Sequence, residues 1–233
     1  MRKFLKKLVL ISLLAVIIIG GTFTYQGYNL YKEAINEVSI EDKVEEIKNA
    51  TEDYVEFEEL PKDYINAVIA VEDRRFFEHN GIDLISISRA VLKDIQTFSL
   101  AEGGSTITQQ LAKNTYFTQR KEFTRKVAEV FTAFEYEKVC SKEEIFELYV
   151  NTIYFGDGYY CISDAAKGYF DKEVEDMDLY ECTLLAGIPN APSVYSPTKN
   201  PELARQRQAQ VLSKMVEYKY LTQEEANELL NNM

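Results

Sequence analysis

The chain has 233 residues, 46% of them hydrophobic and 27% charged, with 10 glycines and 5 prolines. That composition is globular and excludes a disordered or collagen-like chain. Its 38 acidic residues outnumber 26 basic ones, for a net charge of -12, which excludes broad binding to nucleic acid through overall charge.

Arg2, Lys3, Lys6 and Lys7 precede a run from Leu8 to Phe23 whose polar side chains are Ser12 and Thr22, and Tyr25 and Tyr28 follow at interface depth. The run approaches the roughly 20 apolar residues that a bilayer-spanning helix needs. No small-x-small cleavage pattern follows it in IIIGGTFTYQGYN, so an uncleaved anchor is expected over residues 8–28. The positive-inside rule places residues 1–7 in the cytoplasm and everything after Tyr25 outside it. Without its four N-terminal cations the chain carries 22 basic against 38 acidic residues, so attraction for an anionic substrate must come from a concentrated basic patch. Residues 29–60 hold eleven acids against three lysines and no tight apolar stripe. Residues 29–54 are therefore expected to form a solvated, partly helical stalk leading to a folded domain over residues 55–233.

From Lys62 onward apolar residues recur at three- and four-residue spacing, which predicts helices over 63–76, 82–98, 105–115, 122–139, 142–152, 162–170, 178–188, 201–219 and 223–231. Ser141 with Glu144, Asp178 with Glu181 and Thr222 with Glu225 have capping-box spacing. Strand-like alternation is nearly absent, so the fold class is all-α. Cys140, Cys161 and Cys182 are odd in number and form no C-x-x-C pair. They read as small buried hydrophobes, neither a disulfide framework nor a zinc ribbon.

The apolar face of the 63–76 segment runs Ile65, Val68, Ile69 and Phe76, and Glu72 falls on it. A carboxylate there loses water, which raises its pKa toward the range of a general base at neutral pH. The bland alternative pairs Glu72 with Arg74 or Arg75 at a frayed helix end. His79, the single histidine, reads as a hydrogen-bonded structural residue, with no metal partners beside it. In AEGGSTITQQLAKN, Ser105 or Thr106 can cap a helix on which Thr106, Gln110 and Lys113 share one face, either solvated or lining a cleft. Lys113, Arg120, Lys121, Arg125 and Lys126 stand against Glu122 alone before Glu129, and this is the concentrated patch. In the 122–139 helix Val127, Val130, Phe131 and Phe134 are expected to form the packing stripe, with Arg125, Lys126 and Glu129 together on another face. Glu129 is either a surface ion-pair partner of Arg125 or Lys126 or part of an anion site, since clustered cations supply the charge-assisted hydrogen bonds that a phosphate or diphosphate requires.

EDRRFFEHNGID (72–83), GGSTITQQLAKN (103–114), RKVAE (125–129), SKEEIFELYVNTIYFG (141–156) and ECTLLAGIPNAPSVYSP (181–197) resemble, in order and spacing, the successive motifs of the peptidoglycan glycosyltransferases, glycosyltransferase family 51. The sequence stops at Met233 without the S-x-x-K and K-T-G motifs of a transpeptidase, so it looks like the monofunctional form. The resemblance implies a lysozyme-like α-helical domain behind a single membrane helix. It also implies an enzyme that polymerises lipid II into β-1,4-linked glycan, with inversion at the donor anomeric carbon and release of undecaprenyl pyrophosphate. Glu72 matches the general base and Glu129 the second essential carboxylate. Lys113, Lys121, Arg125 and Lys126 match cations around the donor diphosphate, and Thr106 and Gln110 match polar residues of the second motif. Asp73 and His79 match positions that hold the first motif in shape. A mobile, membrane-dipping jaw would include Phe98 and Leu100.

Three positions depart from the family pattern: Lys121 stands for the usual Arg, Cys161 for a usual Gly, and Asp171 where Gly is common. No cofactor is required by this reading, although a divalent cation could ride on the diphosphate. The implied partners are lipid II, the growing lipid-linked glycan and the cytoplasmic membrane, with other wall-building proteins as further candidates and no nucleic acid. Two rival readings are a lysozyme-like glycan hydrolase and a non-catalytic scaffold. A hydrolase expelling a neutral sugar gains little from five clustered cations, and a scaffold would be free to lose Glu72 and Glu129.

Overall fold

A computed structural model describes residues 2–97, 104–117 and 123–231. The described residues form eleven α-helices: α1 (Arg2–Glu37), α2 (Ile40–Ala50), α3 (Lys62–Glu72), α4 (Leu84–Thr97), α5 (Ile107–Tyr116), α6 (Phe123–Val139), α7 (Lys142–Val150), α8 (Ile162–Phe170), α9 (Leu179–Gly187), α10 (Pro201–Glu217) and α11 (Gln223–Asn231). Among them there is no strand, and a single antiparallel bridge joins Gly156 to Tyr159. The all-α expectation holds. The nine helices read from periodicity are present, and the largest difference is that α3 ends at Glu72, where Asp73 leaves helical geometry at φ -155°.

The caps follow from local chemistry. Ser141, Asp178 and Thr222 each accept the backbone N–H three residues on, and Glu144, Glu181 and Glu225 return the bond to the cap backbone. Asp83 starts α4 by accepting the N–H groups of Ile85 and Ser86 at 2.9 Å.

α7 is the centre of the domain. Every residue from Ile145 to Val150 is buried, as expected of a helix enclosed on all sides. Around it lie Tyr64, Phe76, Ile107, Tyr136 and Leu185, all fully buried. α3 packs on α9 and α10, and α5 lies between α6 and α7.

The segment expected as a solvated stalk is packed against the domain. Ile40, Val44 and Ile47 on α2 have the i, i+4, i+7 spacing of one face, and Ile40 and Ile47 join the main core. Behind α2, the buried Glu147 accepts hydrogen bonds from the Tyr54 hydroxyl (2.7 Å) and the Phe57 N–H (3.2 Å) and pairs with Lys48 (3.1 Å). Asn151 binds both backbone groups of Val55, at 3.1 and 2.8 Å. A count of acids conceals this because they occupy the outer face of α2.

α1 divides in two. From Phe4 to Ile19 its large apolar side chains are exposed, and the helix is long and apolar enough to cross a bilayer. From Gly27 it lies along α6. A Cβ on Gly27 would come within 2.5 Å of the Val127 Cβ, so glycine is what lets the two helices approach this closely. Tyr28 and Tyr31 then pack their rings on Phe131, and the Tyr31 hydroxyl donates to Glu135 at 2.6 Å.

This arrangement splits the expected stripe of α6, with Phe134 against Gly81 of the domain. Val127 and Phe131 face α1, whereas the fully buried face carries Ala128, Glu129, Thr132, Ala133 and Tyr136. Small residues there let α5 come close, and the acid lies on the inner side of the helix. Cys161 and Cys182 are buried, Cys140 is half-buried, and all three thiols are free. The Cys161 sulfur accepts the Asp164 N–H at the start of α8, and Asp171 closes that helix in the left-handed region at φ 56°.

Candidate active site

A cleft of about 950 Å³ opens between the C-terminus of α3, the N-terminal part of α5, the first turns of α6 and one face of α10. That volume suits a substrate of sugar size. Glu72, the last residue of α3, points into it with 11% of its side chain exposed. Its Oε2 accepts a hydrogen bond from Gln110 Nε2 at 2.8 Å, and its Oε1 lies 3.6 Å from Arg207 Nη2. Burial pushes the Glu72 carboxyl above the usual carboxylate range and outweighs the opposing pull of Gln110, Arg207 and Lys113.

Neither arginine next to Glu72 in sequence pairs with it. Arg75 makes a two-point contact to Asp83, and Arg74 stacks over the Tyr218 ring with its guanidinium carbon 5.4 Å from the ring centre. Asp73 turns the other way. Both its oxygens meet His79 Nε2, at 2.9 and 3.0 Å, and Oδ2 also accepts the Ile107 N–H at 3.1 Å. One carboxylate thus joins the end of α3, the His79 turn and the start of α5.

Thr106 caps α5. Its hydroxyl accepts the Gln109 N–H (3.1 Å) and donates to the Gly81 carbonyl (2.7 Å), so its donor and one lone pair are committed to the fold although the residue borders the cleft. Gln110 and Lys113 lie on the cleft face of the same helix. Burial lowers the pKa of the Lys113 ammonium, and the cations Arg125 and Lys126 push it further in that direction, against the pull of Glu129 and Glu72.

On the opposite wall Glu129 is 1% exposed, with Lys126 Nζ 2.9 Å from Oε2 and Arg125 Nη1 3.3 Å from Oε1. The surface ion-pair alternative therefore fails on burial. Lys126 also donates to Ser105 at 2.6 Å. Lys121 and Arg120 lie outside the described residues, as do Phe98 and Leu100 of the expected jaw. Among the described residues no group of three or more His, Cys, Asp or Glu side chains converges in a way that could hold a metal ion.

Arg207, like Arg89 and Lys214 of the same cleft, lies outside the sequence motifs. It stands between Ala204 and Val211, both on the buried stripe of α10, so a cation on an apolar stripe was the available signal.

Glu72 of α3, Gln110 and Lys113 of α5, Lys126 and Glu129 of α6 and Arg207 of α10 thus line one cleft, which brings a buried acid and several cations together. The transglycosylase family model matches residues 38–216. A Cupriavidus necator protein described as a "Putative transglycosylase" is 46% identical over 72% of this chain and 72% of its own length. Penicillin-binding protein 1F of Bacillus subtilis is 45% identical over 79% of this chain and 26% of its own, and penicillin-binding protein 1A of Vibrio cholerae is 38% identical over 96% and 29%. The chain thus spans between a quarter and a third of the length of those two penicillin-binding proteins. It belongs to the transglycosylase family, and so to the peptidoglycan glycosyltransferases.

Proposed function

We propose that this chain polymerises lipid II, with Glu72 as general base and the α5–α6 cations as the site of the leaving diphosphate. Glu72 takes the proton from the 4-hydroxyl of the acceptor's N-acetylglucosamine as that oxygen attacks the anomeric carbon of the donor's N-acetylmuramic acid. The C–O bond to the diphosphate breaks, the centre inverts, and a β-1,4 link forms. Undecaprenyl pyrophosphate leaves as a stable anion, so it needs charge stabilisation from Lys113, Lys121, Arg125 and Lys126 more than it needs a proton. Glu129, clamped between Arg125 and Lys126, acts as the organiser of those cations. A divalent cation, where one takes part, rides on the diphosphate as part of the substrate.

The observation that carries this reading is the shared cleft, with a desolvated Glu72 on one wall and Lys113, Lys126 and Glu129 on the others. The cations favour transfer over hydrolysis, because a neutral leaving sugar would leave their charge unused. We further propose that residues 1–7 are cytoplasmic and that the catalytic domain faces the other side of the membrane, from the Arg/Lys cluster ahead of the apolar run. Protease added outside intact spheroplasts should then digest the domain.

The test is to incubate purified full-length chain with lipid II and resolve the products. Long glycan from the wild type and none from Glu72→Gln is the expected result. Short cleaved fragments would indicate the hydrolase, and near-normal turnover by Glu72→Gln would remove that residue from its role.

A further inference from the structure

Glu72 has two oxygens with different neighbours. Oε2 is occupied by the Gln110 amide, which leaves Oε1 as the oxygen open to an acceptor hydroxyl. The nearest cation to Oε1 is Arg207, whose Nη2 stands 3.6 Å away, beyond hydrogen-bond range. At that distance the guanidinium favours the carboxylate electrostatically without occupying the lone pair that must receive the proton.

The guanidinium is held there from several sides. Its Nε faces the Gly187 carbonyl at 3.4 Å, its Nη1 donates to Gln210 at 3.0 Å, and its plane lies over the Tyr195 ring at 5.9 Å. The stem passes so close to α9 that a Cβ on Gly187 would meet Arg207 Cγ at 3.0 Å. Arg207 is 12% exposed and so is little screened by water.

We propose that Arg207 is a positioning residue for the base: it keeps Glu72 ionised in its desolvated seat and leaves Oε1 as the oxygen that receives the acceptor's proton. When the hydroxyl proton passes to Oε1, the carboxyl becomes neutral and the attraction to Arg207 ends, while the electron pair freed on the acceptor oxygen forms the new C–O bond. This inference rests on Glu72 being the base.

The charged and titratable groups facing Glu72 are Lys113 from α5, Arg207 from α10, and the adjoining Asp73, with Tyr64 of α3 and Tyr149 of α7 behind it. Burial holds both phenols well above their usual range, so they stay neutral at working pH. Arginine does not titrate either. A limb on the acid side that moves when Arg207 loses its charge reports Glu72, because removing that charge raises the carboxyl pKa and moves the limb upward.

The experiment measures kcat/KM for lipid II polymerisation from pH 5 to 9 with full-length wild type, Arg207→Gln, Arg207→Lys, Gly187→Ala and Glu72→Gln. Arg207→Gln should move the acid limb up by about one pH unit, with a roughly tenfold loss at its foot that shrinks at high pH. Arg207→Lys keeps the charge and should leave the limb near its wild-type position, with a lower kcat from the lost clamp. Gly187→Ala, which displaces the stem without removing charge, should lower kcat more than it raises KM. An Arg207→Gln limb at the wild-type pH, or an equal loss at every pH, overturns the inference while leaving the base assignment intact if Glu72→Gln is inactive. Turnover by Glu72→Gln overturns both.

Discussion

Asp73 and His79 are locked together in the interior: one imidazole nitrogen meets both carboxylate oxygens, and the same carboxylate receives the first N–H of α5. The pair therefore sets the angle between the helix that carries Glu72 and the helix that carries Gln110 and Lys113. Replacing Asp73 by Ala strands a buried ring nitrogen and a helix N–H at once. We expect a loss of about 3 kcal/mol in denaturant unfolding, together with inactivity in protein that remains folded. An unchanged midpoint would show that the cleft does not depend on this junction.

Glu72→Gln should remove activity and add stability. Burial raises the Glu72 carboxyl pKa in the folded chain, so its ionisation opposes folding as pH rises through that value. The neutral amide escapes this cost. The variant should unfold later than wild type by roughly 0.5–2 kcal/mol at neutral and alkaline pH, and the advantage should vanish in acid, where the carboxyl is protonated in both states. Thermal melts of the two proteins across pH check the sign.

Asp83 behaves in the opposite sense. Burial works against its charge, but the bonds from Arg75 and Ser86 prevail and hold its carboxyl well below the usual range. The stability it contributes is present above the unfolded carboxylate pKa and is lost as pH falls toward the folded one. Asp83→Asn should cost about 2 kcal/mol at pH 7, and the gap from wild type should narrow in acid.

Asp171 holds a left-handed backbone at the end of α8, a conformation that glycine adopts without the strain of a Cβ. Asp171→Gly should raise the unfolding free energy by about 0.5–1 kcal/mol with turnover unchanged. A drop in stability would mean that the aspartate side chain supplies more than the turn costs.

Much of the fold was legible because periodicity and caps are local. The Ser141, Asp178 and Thr222 boxes mark helix starts from four residues of sequence each. What escaped depends on residues far apart in the chain. The packing of α2 is hidden because its acids outnumber Ile40, Val44 and Ile47, and its anchor Glu147 lies about a hundred positions further on. The inner face of α6 is hidden in the sequence because Val127 and Phe131 are apolar for α1, not for the domain core. Glu72 is legible because an acid interrupts an apolar stripe. Arg207 interrupts the stripe of α10 in the same way, but nothing near it in sequence connects it to Glu72.

Gly27 has a consequence for how substrate reaches the cleft. With Val127 seated on it and the Phe123 ring tilted against that of Phe23 at 5.9 Å, α6 is fastened to α1 just beyond its apolar run. Glu129 stands six residues beyond Phe123, only about 9 Å along the axis. On the proposed function, a lipid-linked substrate keeps its tail in the hydrocarbon around α1 while its head enters the cleft, so sugar donor and acceptor both arrive by diffusion in two dimensions.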